Sequence, residues 1–399
     1  MTSPTLPPET HRRAEVVVDL AAIRHNVATL KAAVGDALMM TVVKADGYGH
    51  GMVEAARAAR EGGADWLGVA VLEEALALRA AGDTGPVLTW LAVPGEDYRP
   101  ALEAGVDVTA YSVAELDEIA TAARALGVRA RVQLKIDTGL NRGGSAEALW
   151  GGLVQAAATA EESGAIRVTG IWSHFACSDE PEHPANKEQE DAFGEARSVA
   201  ERAGLEPELR HLANSAGALL RPSSRLDLVR CGITSYGLSP APDVVTSEEL
   251  GLVPAMTVRG RLALVKRIPA GSGVSYGHTY VAPDGTSIGV VPMGYGDGVP
   301  RHASSRAEVQ VAGRRRPVRG RVCMDQLVVD LGDDDVATGA DAVLFGTGAS
   351  GEPTAQEWAE ACGTISYEIV TRFGAQKPAQ AAARMRRVHV DSDAKGGVE

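Results

Sequence analysis

The sequence is poor in aromatic residues: Phe, Trp and Tyr make up 4% of its 399 positions. It has four cysteines, Cys177, Cys231, Cys323 and Cys362, with no C-x-x-C pair and no histidine cluster beside them. A disulfide framework or a metal site is therefore not expected, and a reducing cytoplasm is the expected compartment. No apolar run reaches the roughly 18 residues that a membrane-spanning helix needs, so no membrane partner is expected. The start, MTSPTLPPETHRR, lacks the apolar stretch of a secretory signal. Positive charge is also scarce: 39 Lys and Arg stand against 52 Asp and Glu, for a net charge of -13. That balance argues against nucleic acid as a partner, but a locally basic pocket could still hold a small anion. Glycine, by contrast, is abundant at 45 residues, and 45% of the chain is hydrophobic. This suits an α/β enzyme of about two domains.

Along the chain, residues 1–13 read as disordered and 388–399 as a flexible tail. From 14 to 240, apolar runs alternate with helical segments. The runs are ALMMTVV, DWLGVAV, PVLTWLAV, VDVTA, RVQLKID, RVTGIWSHF, ELRHLA and DLVRCG. The clearest helix follows Ser112, with Glu115 three residues on and Gly127 at its end. Eight strands alternating with helices predict a (β/α)8 barrel of the TIM type. An open doubly wound sheet is the other arrangement this alternation allows. SPAPDVVTSEE (239–249) reads as a linker. From 241 to 387, alternating runs broken by Pro-Asp-Gly and other glycine turns predict a mostly β domain. The RRR at 314–316 reads as a solvated turn.

In a barrel, chemistry gathers where strands end. Lys44 follows MMTVV directly and precedes ADGYGHG, whose glycines let backbone wrap closely around a ligand. Lys135 and Asp137 end RVQLKID, and Arg142 follows. His174 comes late in RVTGIWSHF, Asn214 and Ser215 follow ELRHLA, and Arg230 closes DLVR. A lysine partly desolvated at a barrel mouth has its pKa lowered, as a Schiff-base lysine requires. The loops after strands seven and eight offer Ser215, Gly217 and Gly232 as a possible phosphate cradle. Taken singly, each residue also fits a packing role. His174 could be a satisfied core histidine, Met324 could fill a gap, and a tyrosine in a β domain usually packs.

Taken together, these segments resemble the alanine racemase family, pyridoxal-phosphate (PLP) enzymes of fold type III. The resemblance runs from about Glu15 to Arg386. It rests on VVKADGYGHG, LKIDTGLNR, SHFACSDE, HLANSAG, RCGITSYGLSP, VSYGHTY, PMGYGDG, RVCMDQ and TISYEIVTRF, in that order. It implies an N-terminal barrel, a C-terminal β domain that the strand at about 14–19 joins, and a homodimer with shared active sites. It also implies a pyridoxal 5'-phosphate cofactor and a small amino-acid substrate, with L- and D-alanine interconverted.

The roles that the resemblance implies are specific. Lys44 resembles the Schiff-base lysine and one catalytic base, and Tyr276 the opposite base, donated by the other subunit. Arg230 matches the guanidinium facing the pyridine nitrogen, and His174 the imidazole near the ring. Tyr48, Ser215, Gly232, Ile233 and Tyr367 match phosphate-pocket positions. Arg142 and Met324 match contacts to the substrate carboxylate, with Asp325 supporting. Lys135 matches a lysine that is carbamylated in many members and orients Arg142. Asp179, Arg301, Arg321 and Ile365 fall at access-channel positions. Three rival readings are a PLP-barrel decarboxylase, a PLP-carrier barrel without enzymatic activity, and a broad-specificity racemase. The first expects an acidic partner where Arg230 stands. The second lacks VSYGHTY and RVCMDQ.

Overall fold

A computed structural model describes residues 13–374 and 384–393. The expected disordered segment lies outside these residues except for Arg13, as do residues 394–399 of the expected tail. The chain divides into two compact units, one of Ile23–Gly47 with Met52–Leu252, the other of Tyr48–Gly51 with residues up to Ala22 and from Val253 on.

Strand β1 (Ala14–Asp19) belongs to the second unit. The first unit is built on β2 (Leu38–Val42), β3 (Trp66–Val69), β4 (Val87–Thr89), β5 (Asp107–Ala110), β6 (Ala130–Lys135), β7 (Ile166–Trp172), β8 (Leu209–His211) and β9 (Leu228–Cys231). These eight pair in parallel, in order from β2 to β8, and β9 pairs with β2. Backbone bonds from Asp227 N to Arg210 O (3.1 Å) and Arg230 N to Ala213 O (3.0 Å) join the last two strands. The sheet is thus a barrel, as expected, and the open-sheet alternative falls away.

The apolar runs form strands because parallel barrel strands are buried on both faces. Met40, Trp66, Leu88, Leu209 and Leu228, from five strands, pack into one buried cluster. Gly68 makes this possible, since a Cβ there would lie 2.6 Å from Met40 Sδ and 2.9 Å from the Trp90 ring. The helix Val113–Leu126 starts where Ser112 Oγ accepts from Glu115 N (3.3 Å) and stops at Gly127, whose φ is 68°.

In the second unit, β1 lies between β10 (Met256–Arg261) and β14 (Arg386–Val390). That sheet continues from β10 through β13 (Asp341–Phe345) and β11 (Glu308–Val311) to β12 (Arg314–Pro317). Three sequence expectations change here. Residues 388–390 are not tail but the end of β14, whose alternating RRVHV pairs in parallel with β1. Arg314–Arg316 are not a turn but part of β12, and Arg316 is buried and ion-paired with Asp334. The segment 239–249 is a pinned loop of the barrel unit: Ser239 Oγ donates to Val245 O (2.6 Å) and Ser239 N to Ser247 Oγ (2.9 Å). The units therefore divide after Leu252, later than the expected boundary at 240.

Candidate active site

Lys44 opens a left-handed turn directly after β2. Ala45, Asp46 and Tyr48 all have positive φ (53°, 55° and 52°), a conformation that costs non-glycine residues roughly 1–2 kcal/mol each. Fixed polar contacts hold the turn. Glu74 Oε1 accepts from Ala45 N (2.7 Å), Glu74 Oε2 from Ala70 N (2.8 Å), and Asp46 Oδ1 from Met52 N (2.9 Å). Backbone strain held this firmly is typical of functional positions. Burial lowers the pKa of Lys44, and Arg142 and Arg230 lower it further against the opposing pull of Glu74.

Around Lys44 stands a cluster of cations. Burial and the charges of Arg230 and Arg142 bring Lys135 down to about 7. Its Nζ lies 4.4 Å from the centre of the Trp172 ring and 5.4 Å from that of Tyr111, so aromatic faces replace carboxylates as partners. Asp137 shapes the next loop, accepting from Gly139 N (2.9 Å), Asn141 N (3.1 Å) and Arg142 N (3.1 Å). That fixes the backbone of Arg142, whose side chain is exposed.

Arg230 is 4% exposed and held on both Nη atoms. Nη1 donates to His211 Nδ1 (3.0 Å) and His211 O (3.2 Å). Nη2 donates to Ser173 O (2.7 Å), His174 Nδ1 (3.0 Å) and Leu212 O (3.2 Å). Its Nε–H has no acceptor among the described residues. Because a guanidinium only donates, His174 Nδ1 must be unprotonated, and burial with the Arg230 charge keeps that imidazole neutral. The loops after β8 and β9 are stitched together at Ser215, whose Oγ accepts from Gly232 N (2.9 Å) and Thr234 Oγ1 (3.1 Å). Ile233 begins the short turn Ile233–Tyr236 beside them. Asp179 is exposed in the loop after β7.

In the second unit, Ser275 Oγ donates to Arg321 O (2.6 Å) and lies 3.3 Å from Cys323 Sγ. Tyr295 N and Gly296 N donate to Cys323 O (3.0 Å) and Met324 O (2.8 Å). Tyr276, Arg321, Met324 and Asp325 are thus held on neighbouring loops. Arg301 joins them through Ser304, whose Oγ donates to Arg301 O (2.6 Å) and accepts from Val322 N (2.9 Å). Arg384 pairs with Asp325. The Tyr48 and Tyr367 rings are 6.2 Å apart. Ile365 is exposed just before the helix Ser366–Gly374.

Sequence reading passed over several residues of the barrel site. Trp172 lies under Lys135 and Arg230 and stacks on His211, their rings 5.6 Å apart and 5° from parallel. Gln133 and Asp107 lie beneath His211. Strand alternation carried the available signal, because Gln133 and Lys135 are two apart and share a face.

Two family signatures match the chain: "Alanine racemase, N-terminal domain" over residues 18–240 and "Alanine racemase, C-terminal domain" over 255–381. The chain belongs to the alanine racemase family. It is 55% identical over 366 residues to an alanine racemase of Frankia casuarinae, covering 92% of this chain and 95% of that protein. The alanine racemase of Thermobifida fusca is also 55% identical, over 365 residues and 97% of its length. The solved alanine racemase of a D-cycloserine-producing Streptomyces lavendulae superposes with a TM-score of 0.93 at 50% identity. That match covers 98% of this chain and 100% of the other. The alanine racemase of Streptomyces coelicolor A3(2) gives 0.93 at 52% identity, covering 97% and 100%. Membership makes the chain an isomerase of amino acids, in a family that depends on PLP. No helix among the described residues is long and apolar enough to cross a membrane.

Proposed function

We propose that the chain interconverts L- and D-alanine, using PLP held at Lys44, with Lys44 and Tyr276 of the partner subunit as opposed bases. The observation that carries this reading is Lys44: a lysine with lowered pKa, on a strained and fully pinned turn, among Arg142, Arg230 and Lys135. Those residues fit an anionic cofactor with an aldehyde. When bound, PLP would withdraw electrons from the substrate's α carbon so that its proton can leave.

The chain's own residues do the rest. An uncharged Lys44 amine would hold the cofactor through its aldehyde and, once displaced by the substrate's own amine, would be free to accept a proton on one face. Tyr276 is 73% exposed, as an aromatic awaiting cover from another subunit would be. Its hydroxyl would hold or return the proton on the opposite face. Ser215, Gly232 and Ile233 would hold the phosphate. Arg230 cannot give up its proton, so beside the ring nitrogen it would keep that nitrogen unprotonated. This favours quick return of the proton over transamination. Arg142 would bind the substrate carboxylate. Lys135, brought down to about 7, is suited to add CO2 with loss of a proton, giving a carbamate that would pair with Arg142.

The test is a chiral assay over several amino acids, followed by borohydride reduction and peptide mapping. Racemisation of alanine above other substrates and a label on Lys44 are expected. A label on Lys135 or Lys266 would overturn the assignment, and equal rates on many amino acids would favour the broad-specificity reading.

A further inference from the structure

A row of polar side chains crosses the barrel interior beneath the residues already assigned. It starts at Asp107, 2% exposed, whose carboxylate accepts from Arg131 Nε (2.6 Å), Thr169 Oγ1 (2.6 Å) and Gln133 Nε2 (3.2 Å). A carboxylate of this kind only accepts, so it draws the NH2 end of the Gln133 amide and leaves Oε1 facing away. That oxygen lies 2.8 Å from His211 Nε2. His211 must therefore carry its proton on Nε2, leaving a bare lone pair on Nδ1. Nδ1 is 3.0 Å from Arg230 Nη1.

The other end of the row requires the same arrangement. Arg230 can only donate, so it also needs Nδ1 unprotonated. Burial, aided by the Arg230 charge, holds His211 neutral, and stacking on Trp172 fixes its ring plane. Gly170 leaves room for the amide, since a Cβ there would lie 2.9 Å from Gln133 Cδ and Oε1. A proton on Nδ1 would set donor against donor. The guanidinium would then have to move and would loosen its bonds to Ser173 O and His174 Nδ1 as well.

We propose that Asp107 and Gln133 are positioning residues that fix His211 as its Nε2–H tautomer and thereby seat Arg230 for racemisation. This rests on the role proposed above for Arg230. The row places at the base of the barrel a control over the proton pattern at its mouth. An acceptor-only group, an amide, an imidazole and a donor-only group leave just one self-consistent assignment.

The test is nitrogen-15 NMR of the full-length protein with labelled histidine, with and without PLP, the His211 signals being assigned with a His211→Asn variant. Wild type is expected to show His211 with a protonated Nε2 and an unprotonated Nδ1 in both states. Asp107→Asn gives the amide a partner that both donates and accepts, so Gln133 is free to turn over. Gln133→Leu removes the amide altogether. In either variant only Arg230 still opposes a proton on Nδ1, so the His211 signals are expected to move part of the way towards protonated Nδ1, and kcat for alanine to fall about 10-fold with KM changed much less. A wild-type His211 protonated on Nδ1 overturns the proposal, and that result needs no variant to fold. So does a variant whose tautomer shifts while kcat stays at wild type, or whose kcat falls while the tautomer stays fixed. Wild-type protein that does not racemise alanine overturns the proposed function instead, and the NMR result then decides the tautomer control alone.

Discussion

In the barrel unit Arg230 is buried and bonded at both Nη atoms, whereas in the β-rich unit Tyr276 is 73% exposed and Met324 and Ile365 are 53% and 61% exposed. Lys44, likewise in the barrel unit, sits on a turn whose backbone conformation is held by Glu74 and Asp46. Groups that act through fixed charge need their geometry built in advance, because each bond lost in a dry interior is costly. Exposed aromatic and thioether groups need a covering surface before they can act. The contrast separates a buried, pre-set group of cations in the barrel unit from exposed side chains in the β-rich unit.

The strongest way to break this contrast is at Lys44. Lys44→Ala removes the proposed attachment point and one proposed base together, so racemisation is expected to fall by at least about 10⁴-fold in protein that remains folded by circular dichroism. Measurable racemisation within tenfold of wild type would end the assignment. Tyr276→Phe is expected to cost about 10³-fold in both directions. Mixing it with Lys44→Ala subunits should restore part of the activity, since a hybrid dimer holds one intact site. Subunits that exchange without any recovery would refute the shared site.

Arg230→Glu is expected to slow racemisation about 10²-fold and to raise transamination relative to it, with a new long-wavelength absorption band in the loaded enzyme. A folded, PLP-loaded variant with wild-type rates and no new band would remove Arg230 from the mechanism. The smallest effect concerns Lys135. Its pKa is lowered from 10.5 to about 7 in the folded chain. Between those values the unfolded chain holds the extra proton, so this group makes stability rise with pH through that window and adds no slope below it. Lys135→Met is expected to flatten that rise in denaturant unfolding of the PLP-free protein in CO2-free buffer. An unchanged slope would mean that Lys135 is not held neutral.

Much of the barrel could be read in advance because its strands are short apolar runs ending in polar residues. MMTVV followed by Lys44 and DLV followed by Arg230 show the pattern directly. The helix at 113–126 was legible from Ser112 and Gly127. The β-rich unit was harder to read. Arg314–Arg316 looked solvated, yet Arg316 is buried because Asp334 compensates its charge, and no local pattern announces a partner 18 residues away. Residues 388–390 looked like tail because their partner strand is at the opposite end of the sequence.

Sequence alone determined which polar side chains stand at or after the ends of the barrel strands. Period, turn glycines and apolar runs are local properties, and they were sufficient to place Lys44, Arg142, His174, Ser215 and Arg230 there. Only the tertiary structure decided how those groups are tuned. The lowered pKa of Lys44 depends on burial and on two arginines from other parts of the barrel rim. The neutral state of His174 depends on burial and on Arg230, 56 positions away, and Arg230 is bonded to His211, which is bonded in turn to Gln133 and through it to Asp107. Desolvation and hydrogen-bond direction depend on what surrounds a group in space, and only barrel closure brings β5, β6, β8 and β9 together.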